Sequence, residues 1–167
     1  MSGSDLSARL ARLLDPARGL STADVALVCA AEPAAPPIAA HRVLLAAASE
    51  PLRALLELQL VAPPAYAAAH DDGALARLPR LLIHDASPAG LAALVKFIYT
   101  GEAPADALRA VEMLCLAEKF ALPALRDAME HLVPRALRDD NACDVLTLAA
   151  ECVGRAGASS DAAHSVP

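Results

Sequence analysis

Residues 81–102, LLIHDASPAGLAALVKFIYTGE, constrain the fold of this chain more than any other stretch. Leu81, Leu82 and Ile83 form an apolar run of strand length, and Asp85-Ala86-Ser87-Pro88 punctuates it. Ser87 is a good helix N-cap, and Pro88 suits the first helical position, where its missing N–H costs nothing. Leu91, Leu94, Val95 and Ile98 follow at i, i+3, i+4 and i+7, the stripe of a helix packed on one side. Gly101 is placed to take a left-handed C-cap conformation after Tyr99-Thr100. The stretch therefore predicts a short strand, a turn and a capped, one-sided helix.

The chain has 167 residues, enough for one domain with an appendage and a core of its own. Its hydrophobic fraction of 56% excludes wholesale disorder. Aromatics are only 2%, so Ala and Leu carry the apolar content and favour helix. A net charge of −6 argues against a nucleic-acid surface, which needs clustered Lys and Arg. Cys29, Cys115, Cys143 and Cys152 show no CxxC pair and read as small apolar residues in a reducing compartment. No uncharged apolar run has the length of a membrane span. Arg9, Arg12 and Arg18 faintly suggest a transit peptide, but Asp5 and Asp15 count against it. A cytoplasmic or nuclear location is the expectation.

Ser4 to Leu14 predicts a first helix with Leu6, Leu10, Leu13 and Leu14 on one face, ended by Asp15-Pro16. A helix this short must dock on something, either its own domain or a second subunit. Asp24 to Ala30 predicts a buried strand. A Pro-rich break at Glu32 to Pro37 leads to a second strand at Ile38-Ala39-Ala40. Helices are predicted at His41–Ser49 and from Pro51, the latter striped by Leu52, Leu55 and Leu56. The segment from Ala62 to Leu78 reads as a long irregular loop. Later helices are expected at Ala107–Phe120, across Leu125, Met129 and Leu132 with Pro134 kinking or ending it, and from Ala142 to Val153. Residues 154–167 are small and polar, the composition of a disordered tail.

Several motifs together resemble the BTB/POZ domain. They are Asp24-Val25 on the first strand, Ala40 to Ser49 (A-H-R-x-x-L-x-x-x-S), and Pro51 to Leu56. Asp85-Ala86-Ser87-Pro88, Phe97-Ile98-Tyr99-Thr100-Gly101-Glu102 and Ala110 to Leu125 complete the set. Leu52 stands where the family carries an aromatic, and the 62–78 connection is longer than usual. The resemblance covers residues 20–130, with a weaker continuation to about 153 that is similar to the helical extension of ubiquitin-ligase adaptors. It implies an α+β BTB/POZ fold, mainly helical with a small sheet of short strands. The implied organisation is an N-terminal helix over 1–19 serving as a dimer arm, the BTB/POZ domain over 20–130, and the start of a helical extension over 131–153. No MATH domain, Kelch repeat, zinc finger or ankyrin repeat is visible to name a pathway.

The resemblance implies a protein–protein interaction module, not an enzyme, that homodimerises and recruits a cullin-type scaffold for ubiquitin ligation. The alternative is a dimerising scaffold or corepressor platform that binds no cullin. The dimer contacts it implies are Leu6, Leu10 and Leu13, with Asp24 and Arg42 beside the dimer groove. Those two residues read either as a desolvated charge pair or as local backbone caps. Leu56, Leu58 and Leu60 are the candidate cullin contacts. In the family's apolar-x-Glu motif, however, Leu60-Val61-Ala62 puts Ala62 where Glu is expected. His41, His70, His84, His131 and His164 lack structural zinc spacing, so no metal and no cofactor is expected. Ser49, Ser87 and the cysteines sit in no nucleophile elbow, and Cys115 and Cys143 lie on helix faces that look buried. No nucleic acid, membrane or small-molecule substrate is expected among the partners.

Overall fold

The computed structural model of the chain describes residues 3–15, 19–61 and 73–161. Its centre is β1 (Val25–Cys29), buried at every residue. β2 (Ile38–Ala40) returns antiparallel after the Pro-rich turn, with Val25 opposite Ala40 and Leu27 opposite Ile38. β3 (Arg80–Ile83) lies parallel to β1 on its other side, with Leu27 opposite Leu81 and Cys29 opposite Ile83. Side chains alternate across a strand. Val25, Leu27, Cys29, Leu81 and Ile83 therefore share one face, where they join the main core. Ala26, Val28, Arg80 and Leu82 take the other.

Helices close around the core face. α1 (Gly3–Ala11) runs into a 3-10 turn over Arg12–Leu14. α2 (Arg42–Ala48) and α3 (Glu50–Leu58) follow β2, separated by Ser49. The four-residue α4 (Gly73–Ala76) precedes β3. α5 (Pro88–Thr100) then begins and ends as its residues dictate. The Ser87 hydroxyl accepts the Gly90 N–H at 3.0 Å, and Gly101, at φ 74°, donates its N–H to the Phe97 carbonyl at 2.7 Å. Leu91, Leu94, Val95 and Tyr99 on this helix are buried.

α6 (Ala107–Lys119) is N-capped by Asp106, whose carboxylate accepts the Arg109 N–H. It ends in a Schellman turn: Leu122 N–H binds the Ala117 carbonyl and Ala121 N–H the Glu118 carbonyl. Ala121 takes the left-handed position of that turn at φ 49°, a place that usually falls to glycine. α7 (Pro123–Ala136) brings Leu125 and Met129 into the core. α8 (Ala142–Asp161) docks through a separate small cluster in which Val145 meets Ala107 and Val111, with Leu148 and Ala149 beside it.

Four expectations need correction. α8 runs past Val153 to Asp161, over residues assigned to a disordered tail; Ala156 and Ala158 are good helix formers, and an established helix extends at little cost. Residues 162–167 lie outside the described residues. The 62–78 loop contains α4, with Ala76 buried, although 62–72 lie outside the described residues. Pro134 does not end α7, because it falls in the last turn and removes one hydrogen bond, while Leu137 N–H still reaches the Val133 carbonyl. Cys143 is exposed and Cys115 only half-buried, because α8 turns the arc of Val145, Leu148 and Ala149 inward and Cys143 lies off it.

Candidate interaction surfaces

The junction of β1, α2 and α5 is held by a polar network centred on buried His41 and Tyr99. Tyr99 Oη accepts the backbone N–H of His41 at 2.8 Å and lies 2.8 Å from His41 Nδ1. On the other side of the ring, His41 Nε2 lies 2.8 Å from Thr22 Oγ1, which reaches the Gly19 carbonyl at 3.2 Å. One proton arrangement satisfies every member. Tyr99 donates to Nδ1, Nε2–H donates to Thr22, and Thr22 donates to Gly19. Burial pushes the Tyr99 phenol up to about 12, with the Asp24 charge adding to the rise and the His41 N–H opposing it. The network ties the connection after α1 to the core, so the family's A-H-R histidine is structural here.

Asp24 and Arg42 do not form a desolvated pair. Both are exposed in the isolated chain, and the Asp24 carboxylate accepts the backbone N–H of Arg42 at 2.7 Å. Among the described residues no ion pair joins their side chains. The free N–H groups at the start of α2 attract the carboxylate, as any helix N-terminus does. Of the two readings, the backbone cap describes Asp24.

The leucine stripe of α1 divides. Leu10, Leu13 and Leu14 pack partly buried against the core of their own domain, while Leu6 is 54% exposed. Val43, next to Arg42 on α2, is 71% exposed. The three leucines at the end of α3 divide as well. Leu56 is 3% exposed and belongs to the core, so it cannot meet a partner; its i+4 spacing from Leu52 puts it on the inward stripe. Leu60 packs partly buried against the core, and Leu58, on the opposite side of the helix, is 82% exposed. Ala62 lies outside the described residues.

The hydroxyls available for chemistry are engaged in structure. Ser49 is buried, accepts the Leu52 N–H at 3.1 Å as N-cap of α3, and donates to the Phe120 carbonyl at 2.6 Å. Its place just before Glu50-Pro51 is the signal that could have revealed this. Ser87 accepts from Arg109 as well as from Gly90. Sequence reading missed Glu112. Its buried carboxylate accepts the Ser87 N–H at 2.6 Å and pairs with Arg109, placing a negative charge at the positive end of α5. Gly90 makes room for it, since a Cβ there would lie 2.1 Å from Glu112 Oε1. Nothing in the local sequence announces a contact between residues this far apart in the chain. Among the described residues no three His, Cys, Asp or Glu side chains gather to hold a metal ion. No helix among them is long and apolar enough to cross a membrane.

A small three-stranded sheet under helices thus carries scattered exposed apolar side chains, and Ser49 and Ser87 are engaged in structure. The BTB/POZ domain profile matches residues 15–137, well over half of the chain, and the chain belongs to that family. Its fold is similar to the BTB domain of zebrafish PATZ1 (TM-score 0.56, 16% identity, covering 81% of this chain and 96% of that one). It is also similar to the BTB domain of human gigaxonin (TM-score 0.53, 17% identity, covering 78% of this chain and 95% of that one). At these identities the likeness establishes the fold alone. A search of curated protein sequences gives no match.

Proposed function

We propose that the protein is a homodimerising adaptor that recruits a cullin-type scaffold for ubiquitin ligation. The observation that carries the partner half of this reading is Leu58, 82% exposed at the end of α3, two residues before Leu60, where the family resemblance places the apolar anchor of its cullin motif. A large aliphatic side chain held out on a capped helix is an anchor for helix-in-groove binding. Leu60 supports that surface from a half-buried position, and the α8 helix extends the domain on another side. For dimerisation, exposed Leu6 and Val43 offer apolar contact area. Asp24 and Arg42, with their charged ends in solvent, form a polar rim nearby. Leu10 and Leu13 hold α1 in place so that Leu6 is presented outward.

Calorimetry of the whole chain with a cullin N-terminal domain tests the reading. Wild type binds, Leu58→Asp does not, and Ala62→Glu binds more tightly. No heat from either wild type or Ala62→Glu refutes the cullin half. A second reading, a dimerising scaffold or corepressor platform without cullin binding, is favoured by one observation, Ala62 in place of the expected Glu. A charge-assisted hydrogen bond absent at that position is worth about 1.5–3 kcal/mol. A compartment in the cytoplasm or nucleus fits both readings.

A further inference from the structure

The chain between α1 and β1 is tied down at successive points. Gly19 is buried against the end of α1, so closely that a Cβ there would lie 1.7 Å from the Leu13 carbonyl oxygen. Its N–H donates to the Asp15 carbonyl at 2.7 Å, which closes one helical turn. The Gly19 carbonyl accepts the N–H groups of Thr22 at 3.1 Å and Ala23 at 2.9 Å, and the Thr22 hydroxyl at 3.2 Å. That hydroxyl also meets the His41 ring at 2.8 Å, and the other ring nitrogen meets buried Tyr99. Asp24 completes the series, with its N–H on the Ala40 carbonyl at 3.1 Å and its carboxylate on the Arg42 N–H. Before the tie, Leu10, Leu13 and Leu14 pack against the core, and Ala11 and Leu14 line one groove with Ala92 and Val95 of α5.

We infer that Gly19 and Thr22 latch α1 onto its own chain, so that two copies meet through their outer faces without exchanging this helix. The inference rests on the dimerising reading for the second copy and adds the way the copies join. Exchange of an element reproduces its contacts on the partner's core, so the tether decides whether exchange occurs. Here an extended tether would part Asp15 from Gly19 and draw Gly19 away from Leu13. It would also pull Thr22 from His41, which is 8% exposed and would keep a ring N–H without an acceptor. The leucines of α1 gain nothing new on a second core to offset those losses. With α1 held in this way, each copy presents both Leu6 and Val43 itself, the self-complementary patch that a two-fold interface needs.

Two measurements on the whole chain test the latch. In hydrogen exchange at neutral pH, the amides of Leu10 to Leu14 are protected in wild type. Thr22→Val removes only the hydroxyl and speeds their exchange about tenfold, the scale of one buried hydrogen bond, while β1 and α5 stay protected and show that the variant is folded. Unchanged exchange in Thr22→Val, or α1 amides that exchange in wild type as in a free peptide, overturns the inference. The second measurement places Ala11→Cys and Ala92→Cys together on the two sides of the groove between α1 and α5. A short bismaleimide then joins the new thiols within one chain, and mass spectrometry finds the 17.2 kDa chain carrying one linker. A linked pair of chains, in excess of what either single substitution gives, shows exchange and overturns the inference. Light scattering of the same samples keeps the two readings apart. A single-chain particle with a Thr22-dependent α1 defeats the dimer and leaves the latch, whereas a dimer joined through exchanged helices defeats the latch and leaves the dimerising module standing.

Discussion

Replacing Tyr99 by Phe removes one oxygen that serves two buried groups of His41, its backbone N–H and its Nδ1, both at 2.8 Å. Tyr99 is 2% exposed, so water cannot substitute without the core opening. Each buried group left without a partner costs about 1–3 kcal/mol. The hydroxyl's own burial cost disappears with it, so the net expectation is a loss of about 3 kcal/mol at neutral pH. For a chain of this size that corresponds to a melting temperature lower by roughly 6–12 °C. A second signature follows from the phenol being held up to about 12 in the folded protein. The unfolded chain releases that proton near pH 10, so above it the folded state binds more protons. Wild-type stability is then lost as pH rises from about 10 to about 12. Phe has no proton to release, and the gap between the two proteins narrows by about 2–3 kcal/mol over that window. Urea melts of both proteins at pH 7, 10 and 12 read these quantities directly. A difference below about 1 kcal/mol at pH 7 with unchanged m-value, or a gap that stays constant into alkali, refutes the network.

Four further outcomes are expected. Ala121→Gly relieves a left-handed alanine at φ 49° and stabilises the protein by about 0.5–1 kcal/mol in urea melts, after allowing for glycine's greater freedom when unfolded. Glu112→Ala removes the carboxylate that binds Ser87 and Arg109 and costs about 2–3 kcal/mol. Gly90→Ala costs less on that background than in wild type, because the atoms its Cβ would strike are gone. Leu58→Asp leaves stability within about 0.5 kcal/mol, while Leu56→Ala two residues earlier costs about 2–5 kcal/mol, which thermal melts of the pair distinguish.

How much of this was legible depends on how local its cause is. The caps of α5 follow from Ser87, Pro88 and Gly101 alone, because capping acts within one turn of chain. The pairing of β1 and β2 follows from two apolar runs across a Pro-rich turn. The parallel pairing of β1 with β3 joins residues more than fifty positions apart, and neither run states it. Helix phase is legible in α3 as well. The stripe of Leu52 and Leu56 already assigns Leu56 to the core, which leaves Leu58 as the exposed member. Asp24 and Arg42 have the charges of an ion pair, but a backbone N–H at a helix start competes for the carboxylate and holds it. The Gly90–Glu112 approach and the orphaned Arg80 Nε depend on tertiary distances, and residue type alone carries no trace of them.

The central proposal is a module that works as a pair, in which a second copy covers Leu6 and Val43, both exposed in the isolated chain. Light scattering of the 167-residue chain at micromolar concentration tests it most directly. The account predicts a particle of twice the 17.2 kDa chain mass, shifted toward the single-chain mass by Leu6→Asp. A wild type that stays at 17.2 kDa across that range contradicts it.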